Sequence, residues 1–271
     1  MRETLGDRVL DEFCQLSEVH RDGWGGAWSR SGTLSSYLST RPAFQDKSVF
    51  GALTSQSLDS AVVHERWASP GIAVVLDNQQ PFVTGGLAFA HNGTIGNSQG
   101  NIVQRPVSYR ESLSLVSSTT MSDSRIYADL FFLRLQELKE RQQTPGTPPS
   151  PVEVREALAL TIARLRQDYP EAGYNNVIET AEFTFATRAH ADKPNHGPGL
   201  LRGYEAAGWS HRIESYYELA YTTIPHADGS VTSVATSSGY PASDPWTKLG
   251  NNRLLVLSHR DAAIQTLSLE S

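Results

Sequence analysis

The chain has 271 residues and one cysteine, Cys14, so it can form no intrachain disulfide and offers no paired-cysteine spacing for zinc. No apolar run approaches the roughly 20 residues that a membrane-crossing helix needs. Residues 1–20 alternate in charge where a secretory signal would place an apolar centre. Basic residues are too few and too scattered for a nucleic-acid face: 23 Lys and Arg stand against 29 Asp and Glu, giving a formal charge of −6, whereas binding to phosphates needs a concentrated positive patch. These absences predict a cytoplasmic protein in a reducing compartment, with neither nucleic acid nor membrane as partner. Gly23-Trp24-Gly25-Gly26 is no phosphate loop either, because tryptophan interrupts it and no lysine follows.

What is present reads as one large α+β domain over 1–271, a length that a single sandwich can reach. Leu5, Val9, Phe13 and Leu16 fall on one stripe and predict an amphipathic helix over 3–18. Cys14 follows Leu10 by four residues, so it shares a face with an apolar neighbour and reads as a small buried hydrophobe. Strands are predicted at 23–28, 60–64 and 87–91; the second and third run directly into Arg66 and into Asn92-Gly93, a pair suited to a tight turn. Asp123 precedes Ile126, Leu130 and Leu133 and so lies near a helix N-terminus. The polar, Pro-rich stretch 142–151 is a surface loop. At its end, Ser150-Pro151-Val152-Glu153 combines an N-cap, a first-turn proline and a reciprocal glutamate ahead of Val154, Leu158, Ile162 and Leu165. From about residue 176 the pattern turns to strands, with Phe183 and Phe185 alternating, then 217–224, 230–236 and 254–258.

Each polar candidate has a plain reading. Arg66 could be a surface arginine, Asn92-Gly93 a hairpin turn, and Asp123 a helix cap. Trp24 and Trp67 read as core aromatics. His190, Asp192 and His196 read as a solvated loop, not metal ligands. The order of motifs changes the weighting for three of these residues. His64-Glu65-Arg66-Trp67-Ala68-Ser69, His91-Asn92-Gly93-Thr94-Ile95, His20-Arg21-Asp22-Gly23-Trp24-Gly25-Gly26 and Ser122-Asp123-Ser124 together resemble the glutamine site of class II glutamine amidotransferases. One departure is Gln80, where that family has histidine before the proline. The resemblance covers most of the chain and is similar to the short ergothioneine-pathway γ-glutamyl hydrolases.

That resemblance implies an N-terminal-nucleophile fold, four layers in αββα order with two antiparallel sheets between helices. It implies that Arg66 clamps the carboxylate of a glutamine or γ-glutamyl ligand through its planar fork, that Asp123 holds the α-amino group, and that Asn92 and Gly93 form an oxyanion hole. No cofactor or metal is implied; a synthase partner or a homo-oligomer is compatible. In the family the nucleophile is a cysteine at the mature N-terminus, beginning a first strand. Position 2 here is Arg2, and Cys14 has no free amine to serve as its base. The first strand is therefore expected to be missing, by a truncated start, and the chain as written is expected to be inactive. The alternative is a non-catalytic ligand-binding or regulatory protein of the same fold. An unrelated serine hydrolase is a third reading.

Overall fold

Two-residue turns organise the first half of the chain. Strand β1 (Trp24–Arg30) folds back onto β2 (Thr33–Ser39), and β4 (Phe82–Thr84) onto β5 (Leu87–Asn92). At the second turn Gly85 and Gly86 have φ of 57° and 79°; both central positions of this mirror-image turn require positive φ, which glycine adopts without steric cost. The computed structural model describes residues 1–97, 100–104, 121–191, 198–237 and 246–270.

The first three-stranded sheet has the order β2-β1-β3, with β3 (Ser60–Glu65) at its edge. A six-stranded antiparallel sheet has the order β14-β13-β9-β8-β5-β4, built from β8 (Asn175–Glu179), β9 (Phe183–Arg188), β13 (Arg253–Ser258) and β14 (Ile264–Ser268). A second three-stranded sheet, β11-β10-β12, comprises β10 (Ala220–Pro225), β11 (Val231–Thr236) and β12 (Thr247–Lys248). A short hairpin joins β6 (Gly96–Asn97) to β7 (Gly100–Asn101). The one Gly-x-Ser-x-Gly pattern in the sequence, residues 96–100, has its serine, Ser98, outside the described residues.

One face of the six-stranded sheet is covered by helices α3 (Asp123–Arg141) and α4 (Pro151–Asp168). Phe89, Ile178, Phe185 and Leu254 meet Tyr127, Phe131, Leu158 and Ile162 there. The other face meets the first sheet through small side chains, Ala27 and Val62 against Ala88 and Ala90, and meets the second through Leu219 against Ala186, Leu255 and Leu257. The outer face of the first sheet carries α1 (Arg2–Leu16) and α2 (Lys47–Thr54), which enclose Trp24 with Cys14, Phe50 and Leu53. Helix α5 (Pro198–Ala206) packs Tyr204 beside Leu16 and Val19. Among the described residues no helix is long and apolar enough to cross a membrane.

Several expectations shift. Helix α1 ends two residues early and is kinked at Gly6, and it buries Leu10, Cys14 and Leu16, whereas Leu5, Val9 and Phe13 are only half-buried. The strand expected at 217–224 starts at Ala220, because Tyr216 and Tyr217 enter an aromatic cluster with Tyr204. The capping box of α4 forms as its residues dictate: the Ser150 hydroxyl accepts from the Glu153 N–H at 3.3 Å, and Glu153 accepts from the Ser150 N–H at 2.7 Å. The cap of α3 is Ser122, not Asp123.

Candidate functional site

A cavity of about 350 Å³ runs between β3 and β11. Both are edge strands: β3 pairs only with β1, and β11 only with β10, among the described residues. Residues 58–69 and 231–237 line the cavity as unbroken runs, as expected of strands that present an edge instead of a face. The two strands run in the same direction. At one end the C-terminal Ser237 hydroxyl accepts from Asn92 Nδ2 at 3.4 Å. At the other, the Ser233 hydroxyl reaches the Ala262 carbonyl beyond β13, near Ser60 and His259.

Arg66 directly follows β3 at the first pole. Its N–H donates to the Gly23 carbonyl at 2.9 Å, and its carbonyl accepts from the Asp22 N–H at 3.0 Å, which fixes its backbone beside β1. The side chain is 3% exposed, and Nη1 has no hydrogen-bond partner. Burial lowers its pKa, while Asp22 and Asp123 favour the charged form. Such a donor, dehydrated and unspent, is a place for an anion. Asp123, also 3% exposed, is held by three donors: Ser124 N–H at 2.9 Å, Ile95 N–H at 2.9 Å and Asn101 Nδ2 at 3.2 Å. Since Ser122 caps the helix, the cap reading does not account for Asp123; the carboxylate lines the cavity with Arg66.

Asn92 and Gly93 also line it. The hairpin reading does not hold: β5 pairs with β4 and β8, and Gly93 is not among the residues with positive φ. Glycine is required by close approach instead, because a Cβ there would stand 2.3 Å from the Gly173 carbonyl oxygen and 2.7 Å from His91 Nε2. Asn92 Nδ2 donates to the Tyr216 carbonyl at 3.3 Å and to the Ser237 hydroxyl at 3.4 Å. His91 anchors the turn. Its Nε2 faces the Gly173 carbonyl at 2.8 Å, so it carries the proton, and Nδ1 accepts from the Ser124 hydroxyl at 2.9 Å. The Gln80 side chain takes the His91 N–H at 2.6 Å.

The histidines around Arg66 are neutral. Burial lowers His20 to about 4 and His64 to about 3, the latter helped by His20, Arg66 and His91. His20 donates through Nδ1 to the Glu65 carbonyl at 3.1 Å and accepts from the Tyr204 hydroxyl at 3.0 Å. The Glu65 side chain is 6% exposed, has no partner on either oxygen, and is pushed well above the usual carboxylate range by burial. At the far pole Glu179 is fully buried and raised to about 8 by desolvation; it accepts from the Ser60 and Thr184 hydroxyls, with His259 Nε2 at 3.6 Å.

Arg66, Asp123, Asn92 and Gly93 therefore meet at one cavity, as do Glu65, His91 and Ser124, to which no role was assigned from sequence. Trp24 is fully buried and Trp67 packs beside Tyr204. Cys14 is 7% exposed and does not line the cavity; burial first, then Glu65, raises its thiol to about 11. Of the loop histidines, His190 bonds to Arg188 and Ala191, whereas Asp192 and His196 lie outside the described residues.

No protein-family model matches the chain, and no curated protein matches it. Solved structures do. A glutamine aminotransferase class-II domain protein from Silicibacter pomeroyi matches with a TM-score of 0.53 at 15% identity, over 92% of each chain. The glutamine phosphoribosylpyrophosphate amidotransferase of B. subtilis, complexed with ADP and GMP, gives 0.56 at 15% identity over 97% of this chain and 46% of its own. A structure described as the allosteric regulatory enzyme of purine biosynthesis gives 0.58 at 14% identity, with the same coverages. This chain thus spans about half the length of the latter two enzymes. At such identities the likeness speaks for the fold: this chain folds as class II glutamine amidotransferase domains do.

Proposed function

We propose that the whole chain, 1–271, is one class II glutamine amidotransferase domain that binds glutamine or a γ-glutamyl compound between β3 and β11. The observation that carries this reading is the convergence on one cavity of a buried guanidinium with an unspent donor, Arg66, a buried carboxylate, Asp123, and the Asn92-Gly93 turn. An α-amino acid needs opposite partners for its two charges at a fixed separation. Arg66 takes its carboxylate and Asp123 its ammonium, which leaves the side-chain amide toward Asn92 and Gly93. The packing order of α1 and α2, first sheet, six-stranded sheet, and α3 with α4 supports the four-layer αββα arrangement.

In the full reaction a thiol adds to the amide carbon and its proton passes through an amine base to the departing nitrogen. The C–N bond breaks with release of ammonia, and water hydrolyses the thioester to the free acid. Donors at Asn92 and Gly93 stabilise the oxyanion of both additions. The thiol belongs on a strand seated between β3 and β11, its first residue beside Asn92-Gly93. The open edges support that placement. A synthase that receives the ammonia is the partner this chemistry calls for. A second reading, ligand binding without turnover, is favoured by one observation: the only cysteine stands outside the cavity. Titration calorimetry with glutamine tests the common part. Arg66→Ala should lose about 1.5–3 kcal/mol of binding, the range for a charged hydrogen bond; unchanged affinity removes Arg66 from the site.

A further inference from the structure

Along β3, side chains alternate between two environments. Val62 meets Ala88 and Ala90 of the six-stranded sheet, Ser60 donates to Glu179, and His64 lies beside His91. Val63 packs with Trp24 and Phe50 on the opposite side, and Glu65, the cross-strand partner of Trp24, shares that side. Its carboxyl lies close enough to Cys14 and Tyr204 to raise both their pKa values. Glu65 lines the cavity, is 94% buried, and neither of its oxygens has a hydrogen-bond partner. An acid left so is costly unless something reaches it. Helix α1 lies along the same cavity, with Thr4, Phe13 and Leu16 in its lining, and none of its described side chains bonds to the carboxyl.

From this we infer that the strand accepted between β3 and β11 carries a basic side chain that pairs with Glu65, and that this residue directly follows the one standing at Asn92-Gly93. The inference rests on the proposed function for the strand's direction. Its first residue stands at the Arg66 end, so the remainder must run toward Ser60, antiparallel to both β3 and β11. To face Asn92 and Gly93, the first side chain points toward the six-stranded sheet. The second then points to the α1 side. With the first residue level with Arg66, the second lies directly opposite Glu65, and cross-strand partners have Cβ atoms about 4.5–5.5 Å apart. Arginine suits the position because its guanidinium can satisfy both carboxylate oxygens at once.

The test uses the chain as it stands and three eight-residue peptides. Each begins with cysteine, continues from the third residue in alternating valine and serine, and carries a C-terminal fluorophore. They differ only in a second residue of arginine, glutamine or glutamate. Fluorescence anisotropy should show the arginine peptide binding about tenfold to a hundredfold more tightly than the glutamine peptide, the range for a charged hydrogen bond, and the glutamate peptide binding worst. Glu65→Gln, which keeps the shape and removes the charge, should equalise the arginine and glutamine peptides. Equal binding of all three to the unaltered chain, binding of none, or a preference that survives Glu65→Gln overturns the inference. Glutamine calorimetry separates the two claims. Glutamine binding without a peptide preference sinks this inference alone; a peptide preference without glutamine binding sinks the amidotransferase reading and leaves a strand-binding groove.

Discussion

Replacing Gly93 by alanine should damage the site and the fold together, by an amount that the local geometry sets. The added Cβ would sit 2.3 Å from the Gly173 oxygen, 2.7 Å from the Gly173 carbonyl carbon and 2.7 Å from His91 Nε2. Carbon–oxygen contact needs about 1 Å more than the first of these. The nearest obstacle is backbone, so no side chain can rotate away. Either the turn after β5 or the segment at Gly173 must move, which also opens the 2.8 Å contact between His91 and the Gly173 carbonyl. Overpacking of this kind costs roughly 1–3 kcal/mol and the lost hydrogen bond about another 1 kcal/mol. For a domain of this size that is a fall in melting temperature of about 4–7 °C. Calorimetric melts, with glutamine titrations at a temperature where the variant is folded, provide the assay. A variant that melts and binds like the parent would falsify the close-packed turn as the reason for glycine.

Glu179 should make stability fall as pH rises. Its folded value of about 8 exceeds the usual 4.5, so between those pH values the folded state keeps a proton that the unfolded state loses. The difference is on the order of 4 kcal/mol by pH 8 and constant above it; denaturant midpoints of Glu179→Gln should lack this slope, and a parallel slope refutes the assignment. His20 and His64, lowered to about 4 and about 3, act in the opposite sense. The unfolded chain takes up their protons first, so stability is lost as pH drops from 6.5 toward 3, and His64→Gln should flatten that limb. Cys14→Ser should leave glutamine binding unchanged, and Cys14, buried and raised to about 11, should react with iodoacetamide at pH 8 far more slowly than free cysteine; rapid labelling would place the thiol elsewhere.

The capping box at Ser150 and Glu153 and the strands leading into Arg66 and Asn92 were legible in the sequence because their causes are local: a hydroxyl three residues from a glutamate, and short runs of β-formers. The buried face of α1 was misjudged by about one position. The kink at Gly6 ends the period that Leu5 seemed to begin, and the face is chosen by contact with Trp24 and Phe50, far along the chain. Strand β2 escaped because Thr33–Ser39 is mostly polar and half-exposed; helix α2 is eight residues whose reason to exist is the burial of Phe50 and Leu53 against Trp24. Arg66, Asp123 and Asn92-Gly93 could be picked out by type and order. The unpartnered state of Glu65 could not, since it depends on β3 being an edge, and strand order leaves no period in the sequence. Asp123 shows the same limit from the other side. Its position suggested a cap, but the neighbouring Ser122 makes that bond and frees the carboxylate for the cavity.

Ammonia release from glutamine, compared between the chain as it stands and a form extended by an eight-residue strand beginning with a free N-terminal cysteine, tests the central claim most directly. The expected result is no release from the first, sustained release from the second, and loss of that release when Arg66→Ala is introduced into the extended form. Release by the unextended chain at the extended form's rate, or release that is indifferent to Arg66, contradicts it.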